Sequence, residues 1–255
     1  MTATARIDPR MRARRVAVVR ARGRRRLRVL VVVTTALGVA VGAWLVVTST
    51  LLDVDRIAVR GTVGVPEEAV RSAADVDTGD ALLLLDLGAV EQRVEEIPAV
   101  LDAQVHRDLP DGVRITVVER EPAAWAPRAD GTVSILDRTG RVIAEAAGDS
   151  PPALPEVRGL AHLPEAGRTT EAGGVATRVL ADLPPELGDR VATVVMYGGV
   201  LVLRLDDGIE VRLGPPRGVS AKGRTALAVL ATLGDAPVAY VDVRVSSAPV
   251  TGSTG

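Results

Sequence analysis

Several kinds of functional site are excluded by residues that this sequence lacks or nearly lacks. It contains no cysteine, so it forms no disulfide bond, zinc–thiolate site or iron–sulfur cluster, and it has no thiol nucleophile. Its two histidines, His106 and His162, lie far apart in sequence, which argues against a histidine metal centre. With two Trp, two Tyr and no Phe in 255 residues, it has too few aromatic rings for a base- or sugar-stacking platform.

Charge is present in both signs but is unevenly distributed. The whole chain has a formal charge of −1, yet residues 1–28 hold eleven arginines against one acid, Asp8, so they carry +10 and the remainder carries −11. An Arg-rich tail can bind nucleic acid or anionic lipid. This one contains no aromatic residue and directly precedes an apolar segment, so we expect anionic membrane lipid, and not nucleic acid, to be its partner.

The apolar segment at residues 29–52 contains no charged residue over 24 positions. As a helix rising 1.5 Å per residue it is about 36 Å long, enough to cross a hydrocarbon core of about 30 Å. A buried core helix rarely runs this long without a polar face, and a cleaved signal peptide has a shorter apolar stretch. We therefore predict a single transmembrane helix. Because the positive flank stays inside, residues 1–28 form a cytoplasmic tail and the residues after 52 lie outside.

The first exterior segment, residues 54–122, has the pattern of a small β-α-α-β-β domain. Alternating apolar residues predict a strand at 54–60, and Pro66 followed by two acids opens a helix. Residues 82–85 are four leucines, which predict a buried run. A second helix follows at 87–97, and two strands then flank a turn at Leu109-Pro110-Asp111-Gly112.

The second exterior segment, residues 123–248, is predominantly a β pattern. It contains two predicted helices, at 174–183 and 221–233, among short strands separated by glycine turns. The last predicted strand, 238–245, places Val241, Val243 and Val245 on one face and polar residues on the other. Residues 249–255 are small and polar, which predicts a flexible tail. The fold class expected for the whole chain is therefore α+β, after one N-terminal transmembrane helix.

The residues show no catalytic constellation, no cofactor motif and no metal-ligand spacing. The nearest nucleophile–base pair is Ser220 with Lys222, and Ser220 lies where a helix N-cap is expected. We therefore predict that the chain is not an enzyme. A membrane-anchored envelope hydrolase with an unrecognised site remains the alternative.

The last predicted strand is the best candidate for a binding site. If it lies at a sheet edge, its unpaired N–H and C=O groups can pair with an extended partner segment. Arg244 then favours a carboxylate on that partner. An interior position in the core sheet is equally compatible with the sequence. The predicted partner-binding residues are the following: Tyr240, Val241, Asp242, Val243, Arg244 and Val245.

Several spaced motifs occur in a characteristic order along residues 15–248. They are Val54-x-x-Ile57-x-Val59-x-Gly61, Gly79-Asp80-Ala81-Leu82-Leu83-Leu84-Leu85-Asp86, Ile97-Pro98-x-Val100-x-x-Ala103-x-Val105-x-Arg107, Val117-x-Glu119-Arg120-x-Pro122, Asp137-Arg138-x-Gly140-x-Val142-Ile143, Leu154-Pro155-x-Val157-x-Gly159 and Tyr240-Val241-Asp242-Val243-Arg244. Together with a basic tail and one span, this order resembles the FtsQ/DivIB family of bacterial division proteins.

The resemblance implies a POTRA domain at 54–122, an FtsQ-type β domain at 123–248 and a location in the cell membrane at the division septum. It implies a scaffold that binds FtsB- and FtsL-like single-span proteins and helps to recruit and regulate the septal peptidoglycan synthase. In that family the last strand of the β domain receives FtsB by strand addition, and the arginine at position 244 contributes. The sequence departs from the family at Val245, where an aromatic residue is common. A POTRA chaperone of protein export is the second alternative, although such proteins usually carry several POTRA units and a barrel.

Overall fold

The computed structural model describes residues 27–42, 44–45, 52–234 and 236–253. Its first element is a helix, α1, at residues 27–42. Among the described residues, no helix is both long enough and apolar enough to cross a membrane. The predicted span at 29–52 includes residues 43 and 46–51, and most of the Arg-rich tail precedes residue 27. Both therefore lie partly outside the described residues and stay predictions.

The chain divides into two compact units. Of the described residues, the first unit contains those up to Ile57 together with residues 77–85 and 107–113, and the second unit contains the others. In the first unit, backbone hydrogen bonds hold the segment that follows residue 51. Val54 N donates to Asp80 O at 2.8 Å, and Leu82 N donates to Leu52 O at 2.9 Å. The chain therefore leaves the predicted span already paired with residues 80–82.

The segment at residues 54–122 has the predicted β-α-α-β-β order. Its three strands form a sheet of order β1-β3-β2. Helix α3 begins at the N-cap Asp86, whose side chain accepts a hydrogen bond from Ala89 N. Helix α2 has two acids in its first turn, where the helix dipole favours them. The element bounds are β1 Arg56–Arg60, α2 Glu67–Ala74, α3 Leu87–Glu95, β2 Val100–Asp108 and β3 Gly112–Glu119.

The run of four leucines is not buried as a block. Leu82 is fully buried, whereas the side chain of Leu83 is 38% exposed and that of Leu84 is 64% exposed. Here the backbone makes a turn, and the side chain of Arg107 donates to the carbonyls of Leu82 (2.8 Å), Leu83 (3.4 Å) and Leu85 (2.6 Å). The prediction of a buried run at residues 82–85 was therefore wrong for Leu83 and Leu84, because the turn directs their side chains to the surface.

Residues 122–252 contain one sheet of nine strands. Their order across the sheet is β12-β11-β10-β9-β8-β7-β4-β5-β6. Helices α4 and α6 pack on this sheet, against β5 and against β10 and β11 respectively. The bounds are β4 Pro122–Pro127, β5 Thr132–Asp137, β6 Val142–Ala147, β7 Glu156–Arg158, α4 Glu171–Asp182, α5 Pro185–Gly188, β8 Val191–Tyr197, β9 Val200–Leu205, β10 Glu210–Gly214, α6 Val219–Leu233, β11 Tyr240–Asp242 and β12 Val250–Gly252. The observed elements confirm the α+β fold class.

The last predicted strand is shorter than expected, and a further strand follows it. Instead of spanning 238–245, β11 covers Tyr240–Asp242. The chain then turns, with Ala248 N donating to Val245 O at 3.1 Å, and returns as β12. Residues 250–252 of the predicted flexible tail therefore form an ordered strand, because β11 offers them a row of backbone partners.

A buried ion pair connects the end of the POTRA-like segment to the nine-stranded sheet within the second compact unit. Arg120 Nη1 lies 2.9 Å from Asp137 Oδ2, and the two side chains are 17% and 5% exposed. Arg120 Nε also donates to Val100 O at 3.0 Å. The other carboxylate oxygen of Asp137 accepts hydrogen bonds from Thr139 N, Thr139 Oγ1 and Arg141 N. One carboxylate therefore holds both the β5–β6 turn and the arginine that follows β3.

These contacts determine the protonation of Asp137. Burial alone would raise its pKa, but the hydrogen bonds from Thr139, Arg141 and Arg120 outweigh burial, so the pKa lies below its ordinary value. Asp137 is consequently ionised at neutral pH.

Candidate protein-binding edge

The nine-stranded sheet has an open edge at β12. Strand β11 pairs in parallel with β10 on one side and antiparallel with β12 on the other. The backbone of β11 is thus already used on both sides, so Tyr240–Asp242 is not the free edge that the sequence suggested. Among the strands that the structure describes, β12 and β6 are the two edges of this sheet, and β12 is the edge next to the predicted site strand β11. The candidate surface for strand addition is therefore the outer side of β12.

Strand β12 is aligned closely with β11. Tyr240 lies opposite Gly252, Val241 opposite Thr251 and Asp242 opposite Val250. A Cβ atom at position 252 would lie 2.3 Å from Cε1 of Tyr240, so a larger residue here requires the Tyr240 ring to move. Val250 is 56% exposed. An approaching segment therefore meets an ordered three-residue edge with an exposed valine.

The six predicted site residues separate into two groups. Val241 and Val243 are completely buried in the core, so they support the sheet and are not accessible to a partner. Tyr240 and Asp242 are half-buried, Arg244 is exposed and Val245 is 60% exposed. Sequence reasoning missed Val250, Thr251 and Gly252. The adjacent β-branched pair Val250-Thr251, between Pro249 and Gly252, is the one local sign of that strand.

Asp242 and Arg244 form a local ion pair. Arg244 Nη2 lies 2.7 Å from Asp242 Oδ2, and Arg244 Nε donates to both carboxylate oxygens. The hydrogen bonds from the Arg244 side chain hold the pKa of Asp242 below its ordinary value, against the opposing effect of burial. Asp242 therefore orients the guanidinium of Arg244, which stays 62% exposed. A partner carboxylate meets an arginine that is already held in place.

A groove lies beside Tyr240 on the same part of the sheet. The guanidinium carbon of Arg212 lies 3.8 Å from the centre of the Tyr240 ring, a cation–π contact. Arg204 Nη2 lies 3.2 Å from Glu210 Oε1 on the neighbouring strand. The groove has a volume of about 710 Å³, and its lining includes Arg204, Glu210, Arg212, Val238 and Tyr240. It offers charged and aromatic contacts next to the open edge.

Ser220 and Lys222 do not have the geometry of a nucleophile and its base. Helix α6 begins after the N-cap Gly218, so the prediction that Ser220 is the N-cap was wrong. Ser220 Oγ accepts a hydrogen bond from Arg224 at 2.7 Å. Lys222 Nζ donates to Leu213 O at 2.7 Å and to Pro215 O at 3.0 Å. Burial lowers the pKa of Lys222, yet these carbonyl contacts give the side chain a structural role at the end of β10.

Comparison with known proteins assigns the chain to a family. Residues 52–120 match the family model described as a POTRA domain of the FtsQ type, and residues 123–244 match the model of the C-terminal part of cell division protein FtsQ/DivIB. The cell division protein FtsQ of Streptomyces collinus is 31% identical over 244 residues, which cover 91% of this chain and 90% of that protein. The chain belongs to the FtsQ family. The predicted resemblance is thereby confirmed.

A second FtsQ relative has a longer chain. The FtsQ protein of Mycobacteroides abscessus is 34% identical over 202 residues, which are 79% of this chain and 63% of that relative. The FtsQ protein of Streptomyces coelicolor is 29% identical over 239 residues, covering 90% and 89% of the two chains. The FtsQ C-terminal match ends at residue 244, so β12 lies beyond it.

Proposed function

We propose that this FtsQ-family chain is a non-enzymatic, single-span scaffold of the bacterial division machinery. It binds FtsB- and FtsL-like membrane proteins and through them helps to recruit and regulate septal peptidoglycan synthesis. Its N-terminus is cytoplasmic and its two exterior domains, at 54–122 and 123–248, lie outside the cell membrane at the septum. The asymmetry of charge around residues 29–52 supports this topology, and the Arg-rich tail binds anionic lipid on the cytoplasmic side.

The observation that carries the proposal is the open outer side of β12 in a domain of the FtsQ family. An extended segment of an FtsB-like partner pairs with this side and continues the sheet. Backbone hydrogen bonds supply the affinity of such a contact, and neighbouring side chains supply its specificity. This assignment replaces β11 by β12 as the receiving strand.

Neighbouring side chains of the predicted site complete the surface. Val250 is the register partner of Asp242, so the two residues lie side by side across the two strands. The exposed Val245 and Val250 provide apolar contact, and Arg244, oriented by Asp242, pairs with a partner carboxylate. Val241 and Val243 contribute only by fixing β11 in the core.

A single charge at the edge tests the proposal. We expect Val250→Lys to weaken binding of the FtsB-like partner by about 10-fold, because a lysine on an edge strand opposes pairing with another strand. The dissociation constant is measured with the full chain in nanodiscs. The control is Tyr197→Lys, at a position 86% exposed at the end of β8. Equal affinities for the two variants would contradict strand addition at β12.

A further inference from the structure

Three exposed leucines lie in the compact unit that contains the beginning of the described exterior chain. Leu84 and Leu109 are each 64% exposed, and Leu83 is 38% exposed. All three belong to the first unit, together with the chain up to Ile57. We call them the leucine patch. Large apolar side chains exposed together usually indicate a contact surface.

Backbone hydrogen bonds place the leucine patch beside the end of the apolar run 29–52. Leu52 is the last residue of that run, and its carbonyl accepts the hydrogen bond from Leu82 N at 2.9 Å. Leu83 and Leu84 are the next residues in the chain. The turn after Leu109 is also close, because Asp111 O accepts from Asp55 N at 2.8 Å. Two separate loops therefore carry leucines to the point where the predicted span ends.

The turn that displays Leu83 and Leu84 is held in shape. The guanidinium of Arg107 donates to three carbonyls of residues 82–85, and Leu82 packs in the core directly before the turn. The exposed side chains therefore stand on a fixed backbone and do not fold back over Leu82. A rigid loop with apolar side chains loses little conformational entropy when it enters an apolar surface.

We propose that the leucine patch inserts into the outer surface of the lipid bilayer next to the membrane span. This inference depends on the anchored topology of the proposed function. The acids flanking the patch in sequence include Asp80 and Asp108, so the attraction comes from apolar insertion and does not need anionic lipid. The contact holds the first exterior domain against the membrane instead of letting it pivot freely at residue 53.

The absence of cysteine makes a direct test possible. Three variants of the full chain each contain one cysteine, introduced by Leu84→Cys, Val63→Cys or Thr35→Cys. Each cysteine carries one environment-sensitive NBD label. Each labelled chain is reconstituted in phosphatidylcholine vesicles that contain doxyl-labelled lipid, which quenches the label on contact. Val63, 97% exposed and in the second unit, is the matched control. We expect quenching at position 84 to exceed that at position 63 by at least about threefold. Thr35, inside the predicted span, reports whether the chain is inserted.

The outcomes separate this inference from the topology on which it depends. If the label at position 35 is quenched but the labels at positions 84 and 63 are quenched equally, the leucine contact alone is overturned. If neither the label at position 35 nor the label at position 84 is quenched, the predicted transmembrane helix is overturned as well. Quenching at 84 that appears only when anionic lipid is added overturns apolar insertion. Adding Leu83→Asp and Leu109→Asp to the chain labelled at 84 should remove the quenching. Unchanged quenching would show that the label, and not the patch, contacts lipid, and this too overturns the inference.

Discussion

A chain that lacks residues 250–255 is expected to bind the proposed FtsB-like partner at least about 100-fold more weakly than the full chain. The deletion removes all of β12, and with it both the backbone row that receives the partner and the exposed Val250. The dissociation constant is measured on the full chain and the shortened chain under identical conditions in nanodiscs. Circular dichroism shows whether the β domain keeps its structure.

The matched control for this deletion lacks only residues 253–255, so that β12 is retained. We expect it to bind like the full chain. The experiment also discriminates between β11 and β12 as the strand that receives the partner. Removing β12 exposes the backbone of Tyr240–Asp242, which the sequence suggested as the receiving strand. Unchanged affinity after the longer deletion would therefore assign the contact to β11 or to another surface.

Replacing Asp137 by Ala is expected to lower the free energy of unfolding by about 3–5 kcal/mol, because it leaves the largely buried Arg120 without its carboxylate. It also removes the acceptor for Thr139 and Arg141 in the β5–β6 turn. Urea unfolding of the full chain in detergent, followed by circular dichroism, measures the change.

The control for Asp137→Ala is Arg138→Ala, the next residue in the same turn. Arg138 pairs with Glu121 at 3.0 Å, but the two side chains are 70% and 75% exposed, so its loss should change stability by only about 0–1 kcal/mol. If the two variants lose similar free energies of unfolding, the burial of the Arg120–Asp137 pair does not increase its contribution to stability.

The same carboxylate gives the stability a predictable pH dependence. Since the pKa of Asp137 is lowered in the folded chain, its stabilisation is complete above the pKa of the unfolded state, near 3.8, and is lost as the pH falls through the lower folded value. The difference in stability between the unaltered chain and Asp137→Ala should therefore be constant from neutral pH to about pH 5 and decrease in stronger acid.

Periodicity predicted the long elements and failed for the short ones. In the strand Gly112–Glu119, the buried Val113, Ile115 and Val117 alternate with more exposed residues, so its two faces were recognisable from the sequence. Strand β12 has three residues, too few to show a period, and it exists because β11 pairs with it. Val245 continues the alternation of Val241 and Val243, yet it is exposed because the chain turns there. When contacts with residues distant in sequence fix a turn, the residue pattern of the strand before it does not reveal that turn.

Sequence reasoning therefore found part of the candidate surface but not the strand at its edge. The sequence identified Tyr240, Asp242 and Arg244 as one polar face, and the structure places Asp242 and Arg244 in direct contact. Whether that strand is an edge depends on which segment pairs with it, and that is a property of the whole sheet. The prediction for residues 82–85 was wrong for a related reason. Arg107, more than twenty residues away, holds the turn that exposes Leu83 and Leu84.

The ring of Tyr240 has a mechanical consequence for the edge. One of its neighbours is the Arg212 guanidinium, and another is Gly252, where a side chain would meet the ring. The ring therefore lines the groove and also lies beside Gly252 of β12. A substitution at position 240 would therefore change the groove and the support of the edge strand together.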